Sequence, residues 1–587
     1  MTDTTQQPTT VNFESLPPFQ PRRFVPEGVN LTDKDTAVGL YQRLLDRPVH
    51  SAEELEAWLL DRSELESAVG QAGVVLYVRM TCQTDDEARA SAYKEYVSTV
   101  APALAPLSDK LDRKYIQARD LLGRPAAIPA ERYEVLDRAI RADIELFREE
   151  NVPLHRDLSL LSQEYQTICG AMTVQFKGEE RTLAQMGKYL QEPDRPLRKA
   201  AWTATAQRRL QDKDKLEELF DKMLALRHKV AANAGLNRYI DYRFKELHRF
   251  YYTPEDCERY HQAVEEHVVP LWAHVLKDRR RKMKVRSLRP WDTAVDPLGR
   301  APLKPFDHPE GLIAGAQAVF TRTDPVLGRQ FTSMGQMGLL DLASRKGKAP
   351  GGYQTSLPEA RRPFIFMNSV GLDRDVRTLL HEGGHAFHAM AAVEEPLLAY
   401  RHAPMEFCEV ASMGMELLAG DHLSVFYPED ENFRRSRREH LEEVLWILPW
   451  VATIDSFQQW LYTHPGHSAG ARREAWLASL GRFDGGVIDW KGLDEQRAYL
   501  WHRQLHIFEV PFYYIEYGIA QLGALQLWVK ARSDPAAALA GYRAALALGG
   551  SKPLPALFAA AGLKFDFSAE TIEPLVQAVA KELEKMG

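Results

Sequence analysis

His381, Glu382 and His385 stand in the run His-Glu-Gly-Gly-His. On a helix, residues four apart lie about 40° apart around the axis and one turn above each other. Both imidazoles can then reach one cation, and Glu382, on the adjacent face, can reach a water beside it. Two nitrogen donors and a carboxylate base are what metal-assisted hydrolysis needs. A zinc site of this kind needs a third protein ligand. The metzincin spacing puts Gly and His at positions 388 and 391; this chain has His388 and Ala391, so that class is rejected. His388 shares the His385 face and reads as a packing histidine, because a fourth protein ligand would close the site. A glutamate further along stays open. Pro404 can start a helix that Gly420 ends, and it carries Glu406, Glu409 and Glu416. Glu406 and Glu409 share a face, and spacing does not choose among the three.

The elements that must position these residues read as mainly helical. Asp373 is a good N-cap for a helix running through Val376, Leu379 and Leu380 into the histidines. Gly383 and Gly384 each cost about 1 kcal/mol against Ala in a helix, and the reading that offsets this is another backbone packed close. The apolar run Phe364–Met367 between Pro363 and Asn368 is a strand signal, and its edge could accept an extended peptide. Residues 344–353 read as a mobile Gly-rich loop, with Tyr353 able to close over a bound peptide. Earlier, residues 1–30 read as a loose leader, and regular structure is expected from Ser51. There Ser51 and Glu54 form a capping-box pattern, and Leu55, Trp58 and Leu59 follow at helical spacing. Amphipathic helices are expected over 85–121, 131–170, 183–209, 213–235 and 254–285. A hairpin is expected at Met172–Phe176 and Arg181–Leu183 around a Lys177-Gly178 turn.

The bulk properties narrow the class. The chain has 587 residues, of which 45% are hydrophobic and 26% charged, the balance of a globular protein. A net charge of -7 argues against a nucleic-acid binder. The basic stretch Lys277–Arg289 reads as cations at a helix C-terminus, ended by Pro290. Cys82, Cys169, Cys257 and Cys408 are too few and too scattered for a disulfide framework, which points to a reducing compartment. The opening MTDTTQQPTTVNF lacks a signal-peptide pattern, and no window approaches a membrane span. A cytoplasmic protein is expected.

Taken together, the motifs resemble the zinc oligopeptidases of the thimet oligopeptidase and oligoendopeptidase F type, the latter more closely. Gly351-Gly352-Tyr353 with Phe364–Asn368 is similar to the family's segment before the metal helix. His381–His388, HEGGHAFH, resembles its extended signature, though Gly383 stands where the family usually has a bulkier residue. Glu406–Glu416, EFCEVASMGME, resembles its second motif, and His506–Tyr517, HIFEVPFYYIEY, its His and Tyr substrate segment. Weaker similarity covers Pro290-Trp291-Asp292 and Asn233–Tyr242.

The resemblance implies that Glu409 is the third ligand of one Zn²⁺ held with His381 and His385, and that Glu382 is the general base. It implies His506, Tyr513 and Tyr517 as donors to the oxyanion. Pro511 is expected to open a helix that puts Tyr513 and Tyr517 on one face, with Tyr514 directed elsewhere but available to substrate. Tyr353, Phe364, Ile365 and Phe366 are the other expected substrate contacts. The implied fold is a mainly α, two-lobed, zincin-like metallopeptidase with a small β-sheet beside the metal helix and a deep substrate channel. An N-terminal helical lobe over 31–200 and a catalytic domain over 201–587 are expected. The implied activity is internal cleavage of short peptides, with no nucleic-acid or membrane partner. The alternatives are a related zinc carboxypeptidase or other exopeptidase, with Arg361, Arg362 or Arg401 holding a chain end, or a silent peptide-binding protein.

Overall fold

The computed structural model describes residues 12–13, 16–122, 130–345, 347–349 and 351–586, so part of the expected leader lies outside the described residues. The described chain is mainly helical, with two small sheets. Strands β1 (Thr173–Phe176) and β2 (Glu179–Thr182) form the expected hairpin. Its turn residues Lys177 and Gly178 both take positive φ, 54° and 82°, the two-residue geometry that matches strand twist.

The second sheet comprises β3 (Leu340–Ala343), β4 (Tyr353–Leu357) and β5 (Arg362–Ser369), in the order β3-β5-β4. β5 pairs parallel with β3 and antiparallel with β4. The strand read from Phe364–Met367 is therefore present, but it is central. Phe364, Ile365 and Phe366 are buried and both edges of β5 are occupied. They are not an edge that a peptide can join. A continuous apolar run is what a strand covered on both faces requires. Among the described residues, β4 pairs on one side only.

The chain divides into two compact units, each drawn from three separated stretches. The first contains Met1–Ile144, Lys304–Phe433 and Gly523–Phe565; the second contains Glu145–Leu303, Arg434–Leu522 and Asp566–Gly587.

In the first unit, regular structure begins before Ser51, with a helix at Lys34–Asp46 capped by Asp33. Its Leu40, Tyr41 and Leu44 pack with Leu55, Trp58 and Leu59 of the helix Ala52–Cys82, which Ser51 caps as expected. Residues 16–30 are not loose. Phe24, Val25 and Leu31 enter the same core, Glu64 accepts the N–H groups of Arg23, Phe24 and Val25, and Arg22 pairs with Glu359. The Gly-rich loop is also tied down where it is described. The buried Lys348 ammonium donates to Asp341 and to the carbonyls of Ala343 and Met367. Thr84 N–H reaches Gly347 O, and Ala349 N–H reaches Thr81 O. A buried charge satisfied by fixed carbonyls holds its segment in place.

Proline interrupts two of the expected helices. The stretch 131–170 forms Ala130–Leu146 and Asn151–Gly170, because Pro153 cannot follow a continuous turn. The stretch 183–209 breaks before Arg195–Leu210, where Asp194 caps and Pro196 occupies the first turn. The regions 213–235 and 254–285 are helical largely as read.

The second unit has an aromatic core in which Phe220, Phe457, Trp476, Trp501 and Phe508 meet edge to face or stacked. Arg227 crosses it, donating to Tyr462 OH at 2.9 Å and to the carbonyls of Ile507 and Phe508. These bonds fix the segment that carries His506.

Candidate active site

The histidines lie on the helix Asp373–Ala391 in the first unit. Its start differs from the expectation. Asp375 caps it, accepting from Val370 N (2.7 Å) and Leu372 N (3.0 Å), while Asp373 is already helical and accepts from Tyr427 OH. The rings of His381 and His385 lie 4.9 Å apart.

Glu409 comes from the helix Met405–Ala419, which starts after Pro404 and ends at Gly420 as read. Its Oε2 lies 3.4 Å from His381 Nε2 and 3.7 Å from His385 Nε2. The donor atoms of His381, His385 and Glu409 lie within 4.8 Å of one another, and among the described residues they form the one such group. Glu406 is buried outside it.

The two glycines explain how the helices come so close. A Cβ at Gly384 would sit 2.5 Å from Ala411 O and 2.6 Å from Ser412 Cα, both backbone atoms of the glutamate helix. A Cβ at Gly383 would strike the Phe320 ring at 2.5 Å, so this phenylalanine occupies the space a bulkier residue would need.

Two hydrogen bonds aim these side chains. Glu416 Oε1 lies 2.7 Å from His381 Nδ1, so that nitrogen donates and Nε2 faces Glu409. Ser412 Oγ donates to Glu409 Oε2 at 2.9 Å. Glu416 was one of three glutamates in the sequence, and its role was not assigned there. Seven residues after Glu409, it returns to nearly the same helix face, a signal that could have found it.

Burial pushes the Glu382 carboxyl up to about 7, helped by Glu409 and opposed by His381 and by a hydrogen bond from Gln354 N–H of β4. Burial opposes charge on His381, but the Glu416 hydrogen bond and the Glu409, Glu416 and Glu382 carboxylates raise it to about 10. Burial and the neighbouring His381 hold His385 well below its ordinary value. This much carboxylate facing one imidazole pair is the electrostatics of a cation site. Two imidazoles and a carboxylate, each braced by a second hydrogen bond or by packing, fit zinc.

His388 is buried with its ring 6.0 Å from Phe407, and it lies outside the donor group. Tyr353 stacks on Phe366 at 4.7 Å, and its hydroxyl bonds Thr81 Oγ1 at 2.6 Å. Arg401 donates to the carbonyls of Pro358, Glu395 and Pro396 and to Ser67, and Arg361 donates to Val393 O. These two arginines knit loops together. Arg362 opens β5.

His506 and the tyrosines lie in the second unit. The helix there starts at Ile515, not at Pro511. Phe512 takes φ 65°, its N–H donates to Gln458 and its carbonyl accepts from Arg249, so the chain turns at this point. As a result Tyr514 does not point away. The His506 ring is 5.8 Å from Tyr513, 4.9 Å from Tyr514 and 5.9 Å from Tyr517. His506 Nδ1 pairs with Gln504 Nε2 at 2.8 Å, which leaves Nε2–H free to donate. Burial holds His506 down to about 4, so it is neutral at pH 7.

A model of peptidase family M3 matches residues 188–576. Over 236 residues the chain is 23% identical to the chromosomal oligoendopeptidase F of Lactococcus lactis subsp. cremoris, covering 39% of this chain and 37% of that one. Over 121 residues it is 31% identical to oligopeptidase PepF of Bacillus subtilis (strain 168), covering 20% and 18%. The matched stretches thus span well under half of these curated relatives. The solved structure of PZ peptidase A with inhibitor 2 superposes with a TM-score of 0.86 at 26% identity, covering 96% of this chain and 99% of that one.

Proposed function

The chain belongs to peptidase family M3, and from that footing we propose that it is a zinc metalloendopeptidase cutting internal bonds of short peptides. The observation that carries this reading is the meeting of His381, His385 and Glu409 beside the buried Glu382. One zinc ion per chain would be held by those three side chains. When bound, it supplies the Lewis acidity that polarises a peptide carbonyl and acidifies a water.

Glu382 takes the proton from the attacking water and hands it to the leaving amine. A carboxyl raised by burial can do both near neutral pH. The unpaired side of β4 offers main-chain groups to an extended peptide, which holds substrate without reading its sequence. His506 Nε2–H, Tyr513 and Tyr517 are assigned, by resemblance to the family's His and Tyr segment, to hydrogen bonds on the developing oxyanion. Tyr514 and Tyr353 are assigned to the peptide itself.

No disulfide joins the four cysteines, and no described helix is long and apolar enough to cross a membrane. A cytoplasmic location fits both facts.

The test is Glu382→Gln. Hydrolysis should fall by roughly 10²–10⁴-fold while zinc content stays near one per chain. Unchanged turnover overturns the base assignment.

A further inference from the structure

In the second unit, three guanidinium groups hold main-chain carbonyls of the segment between His506 and the tyrosine helix. Arg227 donates to Ile507 O and Phe508 O, Arg243 Nε to Pro511 O at 3.2 Å, and Arg249 Nη2 to Phe512 O at 2.6 Å. The same Arg249 nitrogen donates to Glu516 Oε1, also at 2.6 Å. Both side chains are buried, 1% and 4% exposed. Glu516 sits in the first turn of the helix Ile515–Ser533, one residue before Tyr517. One nitrogen thus ties the carbonyl that precedes Tyr513 to the side chain that precedes Tyr517.

The backbone at both ends of this tie is strained. Phe512 (φ 65°) and His248 (φ 53°), the residue before Arg249, lie in the left-handed region that a residue with a Cβ avoids. Such residues persist where the surroundings over-determine them, and they cluster at functional sites. Here Phe512 N–H donates to Gln458, and Arg249 N–H returns to Phe244 O. The Arg249 guanidinium carbon lies 4.9 Å from the Phe244 ring centre and 5.5 Å from that of Tyr252. A buried ion pair adds little net stability, because desolvation offsets much of its attraction. What its planar fork supplies is direction. The chain it directs carries Tyr513 and Tyr517, whose rings meet at 5.4 Å and lie 5.8 and 5.9 Å from the His506 ring.

We propose that Arg249 and Glu516 are positioning residues for peptide hydrolysis: their ion pair sets the turn at Phe512 and so aims Tyr513 and Tyr517 beside His506. Being buried, they act through the tyrosines. This inference rests on the peptidase reading and extends the site to two residues outside it. A hydroxyl that donates to a developing oxyanion acts in the transition state, so misaiming it lowers kcat and leaves KM nearly unchanged.

The test replaces the pair by apolar side chains in R249M/E516L, an exchange that buried ion pairs often tolerate without loss of stability. E516Q, which keeps the shape and one acceptor oxygen, is the milder variant. With melting temperature and zinc content at wild-type values, kcat for a short peptide should fall about 10–100-fold in R249M/E516L, and less in E516Q. KM should stay within about twofold. In a Y513F/Y517F background the same replacement should lower kcat little further, because the hydroxyls it aims are gone. An unchanged kcat in R249M/E516L overturns the proposal. So does a loss that carries undiminished into Y513F/Y517F, the mark of a purely structural role. If R249M/E516L does not fold, the same comparisons made with E516Q decide, and a wild-type kcat there overturns the proposal. If the wild-type chain cuts no peptide, the peptidase reading fails by itself. The crystal structure of the folded variant then decides the positioning: tyrosine rings displaced from His506 support it, and Phe512 still at positive φ with both rings in place overturns it.

Discussion

Glu416 decides which nitrogen of His381 faces Glu409 and the proposed metal position. Its bond to Nδ1 orients the ring and raises its basicity. Glu416→Ala should therefore weaken zinc binding by about 10–100-fold in competition with a chromophoric chelator. An unchanged affinity would show that packing alone orients the ring. His506 makes a second prediction at this scale. Its folded pKa is held near 4, against about 6.5 in an unfolded chain. Between those values the unfolded state binds the proton and the folded state does not. The stability contribution is thus whole above about 6.5 and lost as pH falls towards 4. Denaturant midpoints measured from pH 7 to 4.5 should fall less steeply for His506→Asn than for the wild type; parallel curves contradict the assignment. His381, Glu382 and His385 were legible from spacing, because a helix converts a four-residue interval into a shared face. Glu409 needed the family resemblance. The convergence of Tyr514 with His506 was not legible, because it depends on Phe512 being held at positive φ by the distant Gln458 and Arg249.

The decisive element is the pair of helices that meet at Gly384. Alanine there gains about 1 kcal/mol in helix propensity. It also forces a Cβ against the backbone of Ala411 and Ser412, and overpacking of that kind costs about 1–3 kcal/mol. Gly384→Ala should lower both the melting temperature and the zinc content, since Glu409 moves with the helix that is pushed away. A variant as stable and as zinc-replete as the wild type would contradict this account of the glycine. The sequence cost of two glycines in a helix was visible, whereas the residues they accommodate were not. Strand β5 was legible as a strand from its apolar run and misread as an edge. The partners that cover it, β3 and β4, lie before it in the chain, and the β3 pairing is parallel and non-local. The loop around Lys348 was read as mobile from its glycines. Its anchor is one buried ammonium whose acceptors are the Asp341 carboxylate and three main-chain carbonyls, and carbonyl acceptors leave no mark in composition.

At the scale of the molecule, the helical class, the modest negative charge and the family were all readable, because they follow from composition and from motifs spread along the chain. The assembly of each compact unit from three separated stretches was not, since it depends on contacts between distant segments. The function we propose for this M3-family chain is zinc-dependent internal cleavage of short peptides. Digestion of a mixed peptide library, read by mass spectrometry with and without a zinc chelator, tests it most directly. Internal cuts in short peptides, including those with blocked ends, should stop with the chelator and return when zinc is restored. Cleavage indifferent to the chelator, or products trimmed only from a free end, would contradict it.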